Sequence, residues 1–120
     1  MVKILIVDDN FELTQFLTAL LRKQNFEVII ASTVGEARSA IELFEPDLIF
    51  LDVLLDGTNG RDMCKEIKEI SPRIFIILMS AYPKLLQNYK ECNAADFLEK
   101  PFDFQVMLDK VNNLFNKKEL

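Results

Sequence analysis

The 120-residue chain has no histidine, two cysteines, three glycines and four prolines. Each scarcity excludes something. Without histidine there is no Ser-His-Asp or Cys-His catalysis, no His-Glu-x-x-His metalloprotease site and no phosphohistidine carried by this chain. Cys64 and Cys92 lie far apart and form no Cys-x-x-Cys pair, which points to ordinary reduced thiols rather than zinc or redox chemistry. No apolar run approaches the ~20 residues that cross a bilayer, and Asp8, Asp9 and Glu12 fall where a signal peptide would be apolar. A cytoplasmic protein is expected. Positive charge is also short: 14 Lys and Arg against 19 Asp and Glu leave a formal charge of −5. That balance argues against nonspecific binding to nucleic acid or anionic lipid.

What is present is order. Half the residues are apolar, with no linker, repeat or low-complexity segment, so one domain over residues 1–120 is expected. Apolar runs at 4–7, 28–31, 48–51, 74–79 and 97–98 alternate with helical patterns, and four of them are continuous, as in strands covered on both faces. Leu13, Phe16, Leu17, Leu20 and Leu21 form one helical stripe; Val34, Ala37, Ile41 and Phe44 form a second; Met63, Ile67 and Ile70 form a third. The clearest stripe is Phe104, Met107, Leu108, Val111, Leu114 and Phe115, while a fourth helix over 84–92 is short and weakly patterned. Pro46 ends the second helix, and Pro72 separates the third from the next strand. This βα alternation predicts an α/β fold: a doubly wound five-stranded parallel sheet, order 2-1-3-4-5, with helices on both faces.

Such a sheet gathers chemistry at the carboxyl ends of its strands. Asp8 and Asp9 follow the first run, Asp52 the third and Lys100 the fifth. Three carboxylates ~5 Å apart repel by roughly 3 kcal/mol per pair at an effective dielectric of 20. Lys100 offsets one charge, and a divalent cation held through oxygens offsets more; Mg2+ suits the donor set, with Mn2+ as a substitute. Lacking histidine, a reactive cysteine context or a serine–base pair, the site has a carboxylate as its best nucleophile, and carboxylates form aspartyl phosphates. Asp52, on the central strand, is the candidate, with Asp8 and Asp9 on the metal and Lys100 on the phosphoryl group. Taken singly, each of these acids reads equally well as a strand-end cap of the following helix.

Four segments, Ile-Leu-Ile-Val-Asp-Asp-Asn (4–10), Leu-Ile-Phe-Leu-Asp-Val-Leu-Leu-Asp-Gly (48–57), Ile-Ile-Leu-Met-Ser-Ala (76–81) and Phe-Leu-Glu-Lys-Pro-Phe (97–102), together resemble the receiver domain of bacterial two-component response regulators, of the chemotaxis-regulator type. The likeness runs the whole chain in order. It implies that Asp52 accepts a phosphoryl group from a sensor histidine kinase or histidine phosphotransfer protein, and that the backbone carbonyl of Leu54 joins Asp8, Asp9 and Asp52 on Mg2+. It further implies that Ser80 bonds a phosphoryl oxygen, that Phe97 is the aromatic switch, that the bond before Pro101 is cis, and that Gly57 and Gly60 give the loop after Asp52 its backbone freedom. Phosphorylation would then alter the face of the fourth helix, fifth strand and fifth helix, changing affinity for an unknown downstream protein and offering a phosphorylation-dependent homodimer contact. No turnover of an external substrate is expected.

The chain also departs from the pattern. Asp56 stands where receivers commonly carry proline, which is expected to add a carboxylate near the site and loosen its loop. Leu54 and Tyr82 occupy the positions that tune dephosphorylation, and are expected to shield the phosphoryl group from water. A flavodoxin-type electron carrier would need a Ser/Thr/Gly-rich phosphate loop where Asp-Asp-Asn stands. A haloacid-dehalogenase-type phosphatase would need a second acid where Asn10 stands. The remaining alternative is a degenerate receiver acting as a phosphorylation-independent interaction module. Met1, separated from the first run by Val2 and Lys3, is expected to mark a natural N-terminus, and residues 1–120 contain no output domain pattern.

Overall fold

The computed structural model describes residues 1–115; the Lys117–Lys118 pair expected on the surface lies outside them. Strands β1 (Lys3–Val7), β2 (Glu27–Ala31), β3 (Leu48–Asp52), β6 (Phe75–Ser80) and β7 (Asp96–Glu99) form one parallel sheet in the order β2-β1-β3-β6-β7. Counted as principal strands, this is the expected 2-1-3-4-5 order. Helices α1 (Phe11–Lys23) and α4 (Phe104–Phe115) cover one face; α2 (Val34–Phe44) and α3 (Gly60–Ile70) cover the other.

The strands read as continuous apolar runs because each is buried from both sides. Successive side chains alternate between faces, so Ile4, Ile6, Leu48, Phe50, Ile77, Met79 and Leu98 pack with Leu17, Leu21, Met107 and Val111. Leu5, Val7, Ile49, Leu51, Ile76 and Leu78 pack with Ala37, Met63, Cys64 and Ile67. By the same alternation Asp52 shares the α1/α4 side with Phe50, whereas Ser80 shares the α2/α3 side with Leu78.

The helices begin where short polar side chains accept the first free N–H groups: Asn10 from Leu13, Thr33 from Glu36 and Asn59 from Arg61. Two stripe positions are not core. Phe16 is half-exposed, edge-on to Phe104 at 4.5 Å, and Ile70 in the last turn of α3 is exposed.

Two expectations are corrected. The fourth helix over 84–92 does not form. In its place are two single 3₁₀ turns, Pro83–Leu86 and Tyr89–Cys92, because Asn88 (φ 55°) and Asn93 (φ 67°) turn the backbone left-handed and interrupt any continuous helix. The loop after Asp52 is also not loosened by Asp56. Asp56 and Gly57, at φ 52° and 69°, make the two-residue turn of a hairpin between β4 (Leu54–Leu55) and β5 (Thr58–Asn59). Positive φ at both positions is what a type I′ turn requires, and Asp-Gly is among its favoured pairs.

Candidate functional site

The carboxyl ends of β1, β3, β6 and β7 meet at one edge of the sheet, and each contributes a polar side chain there. Asp8, Asp9 and Asp52 can each turn one carboxylate oxygen into a group within 4.8 Å. Asp8 and Asp52 are buried and Asp9 is exposed. Nearly all of Asp8's exposure is lost, yet its charge is matched: Lys100 Nζ lies 2.5 Å from Asp8 Oδ2, and Asp8 Oδ1 accepts the N–H of Asn10. Asp8 therefore does not cap α1; Asn10 does.

Asp52 is less completely answered. Lys100 Nζ is 3.6 Å from its Oδ2, and the N–H of Leu54 donates to its Oδ1 at 3.2 Å. Burial, and next the Asp8 charge, push the Asp52 carboxyl above the ordinary carboxylate range; Lys100 and the Leu54 N–H only partly oppose this. Lys100 is thus closer to Asp8 than to the Asp52 carboxylate. Three carboxylates against one ammonium leave a site whose donors are all oxygen and whose charge favours a small divalent cation.

Ser80 is buried at the end of β6. Its hydroxyl oxygen accepts the N–H of Tyr82 at 3.0 Å, and its carbonyl accepts the N–H of Lys100, which ties β6 to β7 beside the ammonium. Lys100–Pro101 is cis. Leu54, at the start of β4, and Tyr82 both expose about half of their surface. Phe97 lies on β7, partly buried against Tyr89 at 5.1 Å and under Lys110 Nζ at 5.0 Å from its ring centre.

Gly60 owes its place to close approach rather than to freedom. A Cβ there would stand 2.6 Å from the Asp52 carbonyl oxygen and 2.8 Å from Val53 Cα. Gly57 is the residue that uses a positive φ, in the hairpin turn. Asp56, on that turn, is exposed and is not among the clustered carboxylates of the described residues.

Two contributors escaped the sequence reading. Asn10, a strong helix N-cap type directly after the acids, carried a signal that could have found it. Arg61, whose guanidinium reaches the 3₁₀ segment, carried none, since nothing in its spacing announces a contact with residues 85–88.

Comparison with known proteins agrees with this geometry. Residues 4–112 match the family model described as response regulator receiver domain. Sporulation initiation phosphotransferase F of Bacillus subtilis is 33% identical over 111 residues, covering 91% of this chain and 90% of that protein. The sensory transduction protein LytT of the same organism is 37% identical over 105 residues, covering 86% of this chain and 44% of LytT. The chain likewise spans about half the length of the mycobacterial DNA-binding response regulators MtrA, 52% for that of Mycolicibacterium smegmatis. Among solved structures, a two-component response regulator from Clostridium difficile superposes with a TM-score of 0.90 at 25% identity over all of both chains. The receiver domain of NtrX from Brucella abortus does so at 0.86 and 26%, covering 95% of this chain and 98% of that one.

Proposed function

Because the chain belongs to the response regulator receiver family, whose members serve two-component signalling, we propose that Asp52 is its phosphoacceptor and that phosphorylation switches its surface. The observation that carries this reading is the grouping of Asp8, Asp9 and Asp52 within 4.8 Å, with Lys100 between Asp8 and Asp52.

An Asp52 oxygen attacks the phosphorus of a phosphohistidine on a sensor kinase or phosphotransfer protein. The P–N bond breaks, the P–O bond forms, and the electron pair and then a proton go to the departing imidazole. Asp8, Asp9 and Asp52, with the Leu54 backbone carbonyl, would hold Mg2+, or Mn2+ in its place. When bound, the ion supplies positive charge against the phosphoryl oxygens. Burial keeps Asp52 poorly solvated, so its charge gains most from new partners. Lys100 supplies a point charge 3.6 Å away.

The added phosphoryl group brings about −1.5 to −2 charge. The Ser80 hydroxyl, which accepts from Tyr82 and keeps its own proton to donate, turns toward it. The Tyr82 loop follows, and Phe97 moves relative to Tyr89. The surface that changes consists of the two 3₁₀ turns, β7 and α4, and it would meet the downstream protein or a second copy of the chain. Moving such a switch from 1:99 to 99:1 takes about 5.5 kcal/mol of differential stabilisation. Asn10, Leu54 and Tyr82 rim the site, and the last two are proposed to limit access of water to the phosphoryl group.

The test is intact mass after incubation with Mg2+ and acetyl phosphate, beside D52N. A gain of one phosphoryl mass that needs Mg2+ and is absent from D52N is expected. A folded protein that gains nothing would instead be the degenerate, phosphorylation-independent interaction module. Loss of the label within seconds, without a phosphatase, would overturn the shielding role of Leu54 and Tyr82.

A further inference from the structure

The broken segment 83–92 leaves carbonyl groups to be satisfied. The left-handed turn at Asn88 separates the two 3₁₀ turns, so the carbonyls of Leu85 and Gln87 fall between them, while that of Asn88 already accepts the Glu91 N–H at 2.9 Å. One side chain takes all three. Arg61 Nη1 donates to Leu85 O at 3.2 Å and also to Gln87 O, and Nη2 donates to Asn88 O at 2.9 Å. Nη2 also lies 3.8 Å from the Glu91 carboxylate.

The root of Arg61 is equally constrained. Its N–H donates to Asn59 Oδ1, and it directly follows Gly60. The Gly60 N–H donates to Val53 O at 2.6 Å, and its Cα presses on the Asp52–Val53 backbone with no room for a methyl group. From the main chain of Asp52 to the carbonyls at 85–88 there is therefore a short path, held at both its ends.

We propose that Arg61 is a positioning residue that couples Asp52 to the surface formed by the two 3₁₀ turns, on a route separate from Ser80. The proposal rests on the reading of Asp52 as phosphoacceptor. A displacement of the Asp52–Val53 backbone must carry Gly60 with it. The guanidinium, a planar fork with five donors, passes that displacement to three carbonyls at once. The moved wall borders a cleft of about 210 Å³ lined by Leu86, Tyr89, Phe97 and Glu99, so the same motion reaches the aromatic pair. A lysine at this position keeps the charge but not the fork.

The experiment compares wild type, R61K and R61Q, each with Mg2+ and with or without acetyl phosphate. Intact mass reads phosphorylation. Hydrogen exchange at the amides of Leu85, Glu91 and Asn93, which donate within the turns, reads the segment. All three proteins should gain the phosphoryl mass. In wild type those amides should change their exchange on phosphorylation. In both variants they should exchange about 10-fold faster from the start, the loss expected for charge-assisted hydrogen bonds, and the phosphorylation-dependent difference should vanish. R61K supplies a folded comparison if R61Q is destabilised. Faster exchange with the wild-type difference retained would make Arg61 a structural brace only and overturn the coupling. So would a phosphorylated wild type whose amides do not respond. Failure of wild type to gain the mass at all would overturn the phosphoacceptor reading and the coupling with it, and is told apart by the mass alone.

Discussion

At the scale of single residues, the site is held in a state its own stability opposes. Asp52 has its carboxyl pushed up by burial and by Asp8. The folded protein therefore binds that proton more tightly than the unfolded chain does. Its stabilising contribution is complete below the unfolded value of about 3.9 and is lost as pH rises through the folded value. At neutral pH without metal, D52N should melt higher than wild type, by several degrees for each kcal/mol recovered. The difference should shrink toward zero as the pH falls below about 4; melting curves at pH 3.5 and 7 check the sign. Gly60 makes the opposite kind of demand. A methyl group there meets main-chain atoms that cannot give way, so Gly60→Ala should lower unfolding free energy by about 1–3 kcal/mol in urea denaturation. The grouping of Asp8, Asp52, Ser80 and Lys100 could be read because each stands at the end of an apolar run, so that topology alone brings them together. The preference of Lys100 for Asp8 over Asp52 could not, because it depends on ångström differences that no spacing encodes.

At the scale of elements, the sheet strands and four helices were legible from periodicity. The two departures have separate physical origins. The hairpin at 54–59 has arms of two residues, too short to show alternation, although its Asp-Gly pair is a turn signal in its own right. Reading Asp56 as a missing proline hid that signal. Gly57 carries φ 69° with open space around it, so Gly57→Ala should cost only the left-handed backbone, about 1 kcal/mol in the same denaturation assay. Asp56→Asn, equally suited to that conformation, should leave stability nearly unchanged. The segment at 83–92 failed as a helix because left-handed asparagines, which propensity scales rate as merely mediocre helix formers, settle the backbone locally while Arg61 answers the exposed carbonyls from another element. Such long-range satisfaction is invisible in a window of sequence.

At the scale of the whole molecule, local destabilisation at the site is offset by two apolar layers, one on each face of the sheet. Metal binding should therefore read out globally. At 100 times its dissociation constant, Mg2+ should raise the unfolding free energy by about 2.7 kcal/mol. Equal ionic strength of NaCl should not reproduce the gain, and D52N should lose much of it; chemical denaturation with each salt separates specific binding from screening. The sheet also divides its labour. Asp52 and Ser80 end neighbouring strands but lie on opposite sides of the sheet by the alternation of their strands, the acid with α1 and α4 and the hydroxyl with α2 and α3. Under the proposed function, a phosphoryl group on Asp52 and the Ser80 hydroxyl therefore meet only beyond the strand ends, where the sheet no longer separates its two faces.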